Sequence, residues 1–479
     1  MISQLALPYW LPILVLSGAV LLELCYDGFL SSPKPAQGRW LPFWTALLGL
    51  IATLVLAPLP KLPFIFGRQM LVWDALSFVT VWISVLAGLA VLLLSERSAF
   101  MARERSGPYY ALVLLATLGL FFLGMANDLL MVFLAMELVG IPLFILTGYT
   151  VARQKSIEAA TKFFLVAVFS SGMLVYGISL IYGVFGSTSL NLLTDASALS
   201  SHSGVLLSMG LALVLIALGY KVGLVPFHLW VPDAFTGAPT PIAAYLSIAP
   251  KIAGLIVLAR VFATPLAMGS FSFSWTLAVL AALTIFTGTL VGLRQTNVVR
   301  LLAYSSIAHM GYMLLGVLSA TREGMAATYF YAGAYLFTNA GAFAVVTLIV
   351  NRTGSADLRM FRGLSKTAPL PAALLVLFLF SLAGFPPLAG FFSKFYVLSA
   401  AYHARWTGLV IWGALCAVLS AAYYFKIIRA MYLQTSEEEV HLELSIHERI
   451  VLGIASFFTL AIGLAPQFFL ERLQAWVLR

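Results

Sequence analysis

A chain of 479 residues that is 62% apolar and only 9% charged, with mean hydropathy +1.00, cannot clothe a soluble surface, because soluble domains keep about a quarter of their residues charged. Its formal charge of +9 fits the basic bias of membrane loops and not a nucleic-acid interface. Two cysteines are too few for a four-thiolate iron–sulfur site, and no glycine-rich nucleotide fingerprint follows a strand-to-helix pattern.

Apolar runs long enough to cross a bilayer, about 20 residues each, recur along the whole chain. The predicted spans are 5–25, 40–58, 72–94, 109–125, 127–149, 161–184, 204–231, 240–262, 274–293, 298–318, 326–349, 369–400, 407–430 and 447–466. They make one all-α membrane domain of about 14 helices. The first run lacks a basic leader and a small-residue cleavage site, so it reads as a span and not a signal peptide. Glu23 falls near its end, where an interfacial position is expected. Cys25 and Cys416 sit in separate apolar runs and are expected to be buried and apolar in role.

Charges inside the spans are expensive, upward of about 2.5 kcal/mol each at mid-membrane, so each needs a reason. Glu137 lies near the centre of span 5. Lys162 lies near the start of span 6, beside Arg153 and Lys155, where snorkelling alone would account for it. Lys221 in span 7 precedes Pro226, His228 and Pro232. Proline removes a backbone donor and clashes with the preceding turn, and such a break persists in lipid only where protein or water satisfies the freed carbonyls. Lys251 is close to the centre of span 8, too deep to snorkel. Burial penalises the charged form of any ionisable group, so such a lysine is suited to exchange a proton; the bland alternative is a structural ion pair. His309 is a mid-span relay candidate or else a satisfied core histidine. In span 12 the run Gly384-Phe-Pro386-Pro387-Leu-Ala-Gly390 cannot be regular helix, and Lys394 follows it.

The basic residues also orient the chain. One set of loops carries Lys34, Arg39, Arg97, Arg103, Arg105, Arg153, Lys155, Arg294, Arg300, Arg352, Arg359, Arg362, Lys366, Lys426, Arg429 and Arg449. The other side has only Lys61, Arg68, Arg260, Arg322, Arg405, Arg472 and Arg479. The richer face is cytoplasmic by the positive-inside rule, which puts both termini on the outer, periplasmic side of a bacterial inner membrane. Two interrupted helices, each with a lysine, predict two inverted five-helix repeats, spans 4–8 and 9–13. The expected segments are 1–107 (three N-terminal helices), 108–263 and 264–432 (the repeats), and 433–479 (a C-terminal helix).

Three stretches carry a resemblance: Phe-His-Leu-Trp-Val-Pro-Asp-Ala-Phe-Thr-Gly-Ala-Pro-Thr-Pro (227–241), Arg-Leu-Leu-Ala-Tyr-Ser-Ser-Ile-Ala-His-Met-Gly-Tyr (300–312) and Ser-Leu-Ala-Gly-Phe-Pro-Pro-Leu-Ala-Gly-Phe-Phe-Ser-Lys-Phe-Tyr (381–396). The chain resembles the antiporter-like subunits of proton-pumping NADH:quinone oxidoreductase, respiratory complex I. A larger sibling in that family has an extra lateral C-terminal helix, whereas this chain ends shortly after span 14. Another sibling has glutamate at the distal charge, which here is Lys394. The resemblance implies that Glu137 and Lys221 form a coupling pair, that Lys251 is the central relay and that Lys394 is the exit-side lysine. It also implies a match for Lys162, partners among the other membrane-arm subunits, and quinone, FMN and iron–sulfur clusters held by other chains. The rival from another class is a subunit of a stand-alone cation/proton antiporter, which shares fold and lysines.

Overall fold

The computed structural model describes residues 2–29, 40–59, 63–102, 105–194, 204–267, 271–435 and 442–477. Lys34, Arg39, Lys61, Arg103 and Arg479, used above for orientation, lie outside them. The chain runs through α1 (Ile2–Phe29), α2 (Trp40–Leu56), a small hairpin of β1 (Phe64–Phe66) and β2 (Leu71–Trp73), α3 (Ala75–Ser95), α4 (Ser106–Met125), α5 (Leu129–Thr147) and α6 (Gln154–Phe185). Span 7 is divided into α7 (Val205–Val222) and α8 (Trp230–Gly237), and α9 (Thr240–Ala267) follows. Then come α10 (Phe271–Arg294), α11 (Val298–Leu318), α12 (Arg322–Thr353), a divided span 12 of α13 (Pro369–Ala383) and α14 (Ala389–His403), α15 (Thr407–Leu433), α16 (Ile446–Leu464) and α17 (Pro466–Val477). Among the described residues twelve helices are long and apolar enough to cross a membrane. With the shorter α2 and the divided α13–α14 they account for the predicted spans.

Backbone hydrogen bonds show the inverted repeat that side-chain identity hides. At the start of α5, Leu129 N–H donates to Thr188 O (2.8 Å) and Leu190 N–H to Asn127 O (3.0 Å). At the start of α11, Val298 N–H donates to Ala356 O (2.8 Å) and Leu358 N–H to Thr296 O (2.8 Å). The ladders tie the same two elements in each half, with Asp128 and Asn297 as the two N-caps. Further on, α6 and α12 are both 32 residues long and both end on a left-handed glycine, Gly186 and Gly354. The interruptions match as well. Gly223 (φ +82°) and Leu224 both donate to Gly219 O, and Gly384 (φ +93°) and Phe385 both donate to Phe380 O. Only glycine takes this backbone readily, and it terminates each half-helix by satisfying its last carbonyls.

Burial sorts the helices. The apolar windows of α9 and α11 are wholly buried, and that of α12 nearly so, whereas α6 and α15 present most of their surface outward. Lys251, Ser306, His309 and Asn339 lie on the three central helices, α9, α11 and α12, and Glu137, Lys221 and Lys394 come from helices packed around them.

Several expectations need correction. Cys25 is exposed on α1, and only Cys416 is buried. Glu23, expected at the interface, is fully buried and accepts a hydrogen bond from Thr45 Oγ1 of α2. Hydropathy marks the end of a lipid-facing run but is blind to a neighbouring helix covering it. The twelve-residue α17 extends the chain beyond span 14. Helix α6 begins seven residues before its apolar run, since Gln154, Lys155 and Glu158 suit helix without suiting lipid.

Candidate functional site

The first interruption sits between α7 and α8. Lys221 is buried in the last turn of α7, and the Tyr220 carbonyl accepts from Gly223 N–H and from Trp230 Nε1 (3.0 Å each). Val225 N–H donates to Thr284 Oγ1 of α10 (3.0 Å). His228 is buried within the break beside Pro226, and its Nδ1 has no hydrogen-bond partner among the described residues. Pro232 is not part of the break. It occupies the first turn of α8, where no backbone donor is required.

Glu137 of α5 is half-buried and accepts from Ser171 Oγ of α6. Glu137 and Lys221 do not form a closed ion pair. They line one cavity of about 20 Å³ with Ser170, Ser171, Tyr220 and Trp230, a volume that admits about one water molecule. The expected pair is thus two groups of one polar pocket, separated by a gap.

Lys251 of α9 is completely buried. Its Nζ donates to Ser306 Oγ of α11 (2.7 Å) and stands 5.1 Å from the centre of the Phe235 ring and 5.9 Å from that of Trp230. Among the described residues it has no ion pair, so one hydroxyl and two ring faces offset its charge. The break of α7 comes close: a Cβ on Gly223 would stand 3.6 Å from Lys251 Nζ. The second break repeats this arrangement with a lysine from another helix. Lys394 Nζ of α14 donates to the freed carbonyls of Leu382 (3.0 Å) and Ala383 (2.8 Å), and a Cβ on Gly384 would stand 3.4 Å from it. Pro386 and Pro387 lie in the break, whereas Gly390 belongs to α14. There its missing side chain lets the half-helices cross, since a Cβ would fall 1.8 Å from Ser381 O.

Between the two lysines runs a polar stripe of α11 at helical spacing, made of Ser305, Ser306, His309 and Tyr312. His309 Nδ1 pairs with Tyr331 OH (2.8 Å) and Nε2 with Tyr424 OH (3.1 Å), and Lys394 Nζ lies 5.3 Å from the Tyr312 ring centre. Asn339 donates to Ser247 Oγ one turn along α12 from Tyr335. These tyrosines, with Ser306 and Asn339, escaped the sequence reading because a tyrosine within an apolar run counts as apolar. The pair Tyr331/Tyr335, one helical turn apart, and the adjacent pair Tyr423/Tyr424, all inside predicted spans, were the available signal.

Lys162 stands apart. Its side chain is half-exposed on α6, 2.7 Å from Glu158 and 3.3 Å from Asp233, which also pairs with Arg300 (3.2 Å). These residues, with Arg153 and Lys155, line a polar cavity of about 400 Å³ at the end of the bundle.

The repeat relates the two halves residue by residue. Glu137 and Ser306 both fall eight residues after the ladder donors Leu129 and Val298, and Ser171 and Asn339 both fall seventeen before the ladder acceptors Thr188 and Ala356. The carboxylate that faces Lys221 thus corresponds to the hydroxyl that holds Lys251. Among the described residues no three His, Cys, Asp or Glu side chains converge as a metal-ligand set.

The profile of the family described as NADH:quinone oxidoreductase/Mrp antiporter, TM, matches residues 126–420. NADH-quinone oxidoreductase subunit N 2 of Solibacter usitatus is 38% identical over 95% of this chain and 94% of its own length. NADH-quinone oxidoreductase subunit N 1 of Herpetosiphon aurantiacus is 40% identical over 90% of each chain. A chain in the structure of respiratory complex I from Thermus thermophilus with bound aureothin superposes with a TM-score of 0.82 at 32% identity, covering 96% of this chain and 99% of that one.

Proposed function

The chain belongs to the NADH:quinone oxidoreductase/Mrp antiporter transmembrane family, as a relative of subunit N, and we propose that its buried lysines are the groups through which it moves protons. It is a membrane-arm subunit of proton-translocating NADH:quinone oxidoreductase, with the other membrane-arm subunits as its partners. In this reading quinone reduction elsewhere in the complex alters the charge state of the arm, and Glu137 and Lys221 respond across their shared cavity. Lys251 then takes up or releases a proton, and Lys394 passes it on at the second break, with His228 and His309 in support. Lys162 serves at the mouth, in the polar cavity it shares with Asp233 and Arg300. Residues 1–107 form an N-terminal segment, 108–263 and 264–432 the two working repeats, and 433–479 the C-terminal end. The basic loops support a bacterial inner-membrane location with both termini outside.

The observation that carries the reading is Lys251, wholly buried with one hydroxyl as its hydrogen-bond partner. An ammonium so placed responds to any change of charge on the neighbouring helices. Isolation of the chain from native membranes is the first test. Copurification with quinone-reducing subunits is expected, and recovery with antiporter subunits alone would overturn the assignment in favour of a stand-alone antiporter.

The shared pocket gives a second test. Glu137→Gln and Lys221→Ala are each expected to impair proton uptake by reconstituted vesicles, and the double variant to lose less than the two losses combined. Coupling of about 0.5–3 kcal/mol is usual for residues in one polar network, and the low end applies here because a gap separates the groups. Strictly additive losses would show that they act apart.

A further inference from the structure

His309 is buried at the middle of α11, and both of its ring nitrogens meet a side-chain hydroxyl: Tyr331 of α12 at Nδ1 and Tyr424 of α15 at Nε2. The Tyr424 hydroxyl in turn lies 2.5 Å from Ser305 Oγ. Tyr331, Tyr424 and Ser305 are themselves buried, so this is a continuous hydrogen-bonded chain drawn from three helices. A neutral imidazole has one N–H donor and one bare acceptor, and a hydroxyl is both donor and acceptor. Every member of the chain can therefore exchange its roles. A histidine fixed only for packing needs no such freedom. The exposed His403, for instance, sets its Nδ1 against the backbone carbonyl of Ser399 (2.9 Å), which can accept but never donate.

The chain is also placed where a connection is required. Ser305 is next to Ser306, the partner of Lys251, and Tyr335, with its ring 5.0 Å from His309, turns its hydroxyl toward Ser306 and Ser247 without closing a hydrogen bond. One turn along α11 in the other direction, Tyr312 lies against Lys394.

We propose that Tyr331 and Tyr424 are proton-relay residues that pass a proton through His309 between the surroundings of Lys251 and Lys394, an inference that rests on the proton-moving role assigned to this chain above. A proton arriving at the Tyr331 oxygen releases that hydroxyl's own proton to Nδ1. The Nε2 proton moves to the Tyr424 oxygen, whose proton goes on to Ser305 as the serine hydroxyl gives up its own toward the surroundings of Lys251. One proton enters and one leaves, the imidazole ends neutral with its tautomer inverted, and the sequence runs equally in reverse.

The test uses the whole complex in vesicles and measures protons taken up per electron passed to quinone, a ratio independent of how much complex is made. Tyr331→Phe and Tyr424→Phe each keep the ring and delete the hydroxyl. Each is expected to lower the ratio at least severalfold, since loss of a positioned acid or base slows its transfer step by about a hundredfold or more. The double variant should be no worse than either single, because one wire is broken once. Tyr245→Phe is the control: it deletes an equally buried hydroxyl, bonded to Thr117 Oγ1 (2.7 Å), away from this chain. A normal ratio in either relay variant overturns the proposal, as does an equal loss in the control. Lys251→Ala, run alongside, separates the two levels. If it loses pumping while the tyrosine variants do not, the relay fails and the proton-moving role stands; if it too pumps normally, that role itself is withdrawn.

Discussion

Replacement of Lys251 by alanine is expected to remove most proton translocation while the complex still assembles and still reduces quinone. The fold should tolerate the change. Alanine is the best helix former, and loss of the ammonium strands no partner charge, because none pairs with it among the described residues. Ser306 keeps its hydrogen bond to Ala303 O (2.7 Å) when the ammonium is gone. Translocation should not survive, since loss of a positioned proton carrier costs about a hundredfold. Lys251→Arg sharpens the point. Arginine keeps a cation at the site but does not give up its proton in proteins, so a site that only needs positive charge would accept it and a site that must exchange a proton would not. Proton uptake and quinone reduction in one vesicle preparation decide the matter. Wild-type stoichiometry in the alanine variant would eliminate Lys251 as a relay, and in the arginine variant would make it a fixed charge.

The parts of this site that could be read from sequence are those whose cost in a membrane is large. A lysine at mid-span, or a Gly–Pro cluster inside an apolar run, violates the lipid environment so plainly that Lys221, Lys251, Lys394 and both breaks were evident. Groups that cost little escaped notice. Tyr331 and Tyr424 look apolar to a hydropathy sum, and Ser306 is an ordinary small residue until Lys251 is seen against it. Contacts between distant segments are equally hidden, so the covering of Glu23 by α2 and the gap between Glu137 and Lys221 are seen only in the fold. The two repeats were legible only as an order of helices. They are related through backbone hydrogen bonds at Leu129 and Val298 and through glycines at the breaks, and main-chain geometry leaves most side-chain identities free to diverge. Arg260, a helix-end cation for orientation, is engaged in an ion pair with Asp74.

Arg260 of α9 reaches across to Asp74, and Asp74→Ala is expected to give the largest loss of stability of any single change considered. The guanidinium and carboxylate meet in two parallel hydrogen bonds, Nη1 to Oδ2 at 2.7 Å and Nη2 to Oδ1 at 2.8 Å, and Nη2 also donates to Gly124 O of α4 (3.0 Å). Asp74 caps α3 just outside its apolar span, accepting from Ser77 N–H (2.9 Å). One carboxylate thereby fastens the N-terminal helices to the first repeat. Burial pushes the Asp74 carboxyl up, but the charge and hydrogen bonds of Arg260 outweigh it and hold the group below its ordinary value of 3.8. A depressed carboxylate stabilises the fold above that value and loses its contribution only as pH falls further, so the clamp is fully set at neutral pH. Deleting Asp74 leaves a nearly buried guanidinium unpaired, at a cost of about 3–5 kcal/mol, and removes a helix cap worth about 1 kcal/mol more. Asp74→Asn keeps the cap acceptor and should lose less. Asp74→Ala with Arg260→Leu, which removes the stranded charge, should recover part of the loss. Thermal unfolding of the detergent-solubilised complex and subunit content in membranes would report that order. An Asp74→Ala complex as stable as wild type, or a double variant worse than the single, would dismiss the clamp. Protons translocated per electron in the surviving complex should stay unchanged, because the ion pair lies outside the lysine and tyrosine path, and a fall in that ratio would put Asp74 into the path instead.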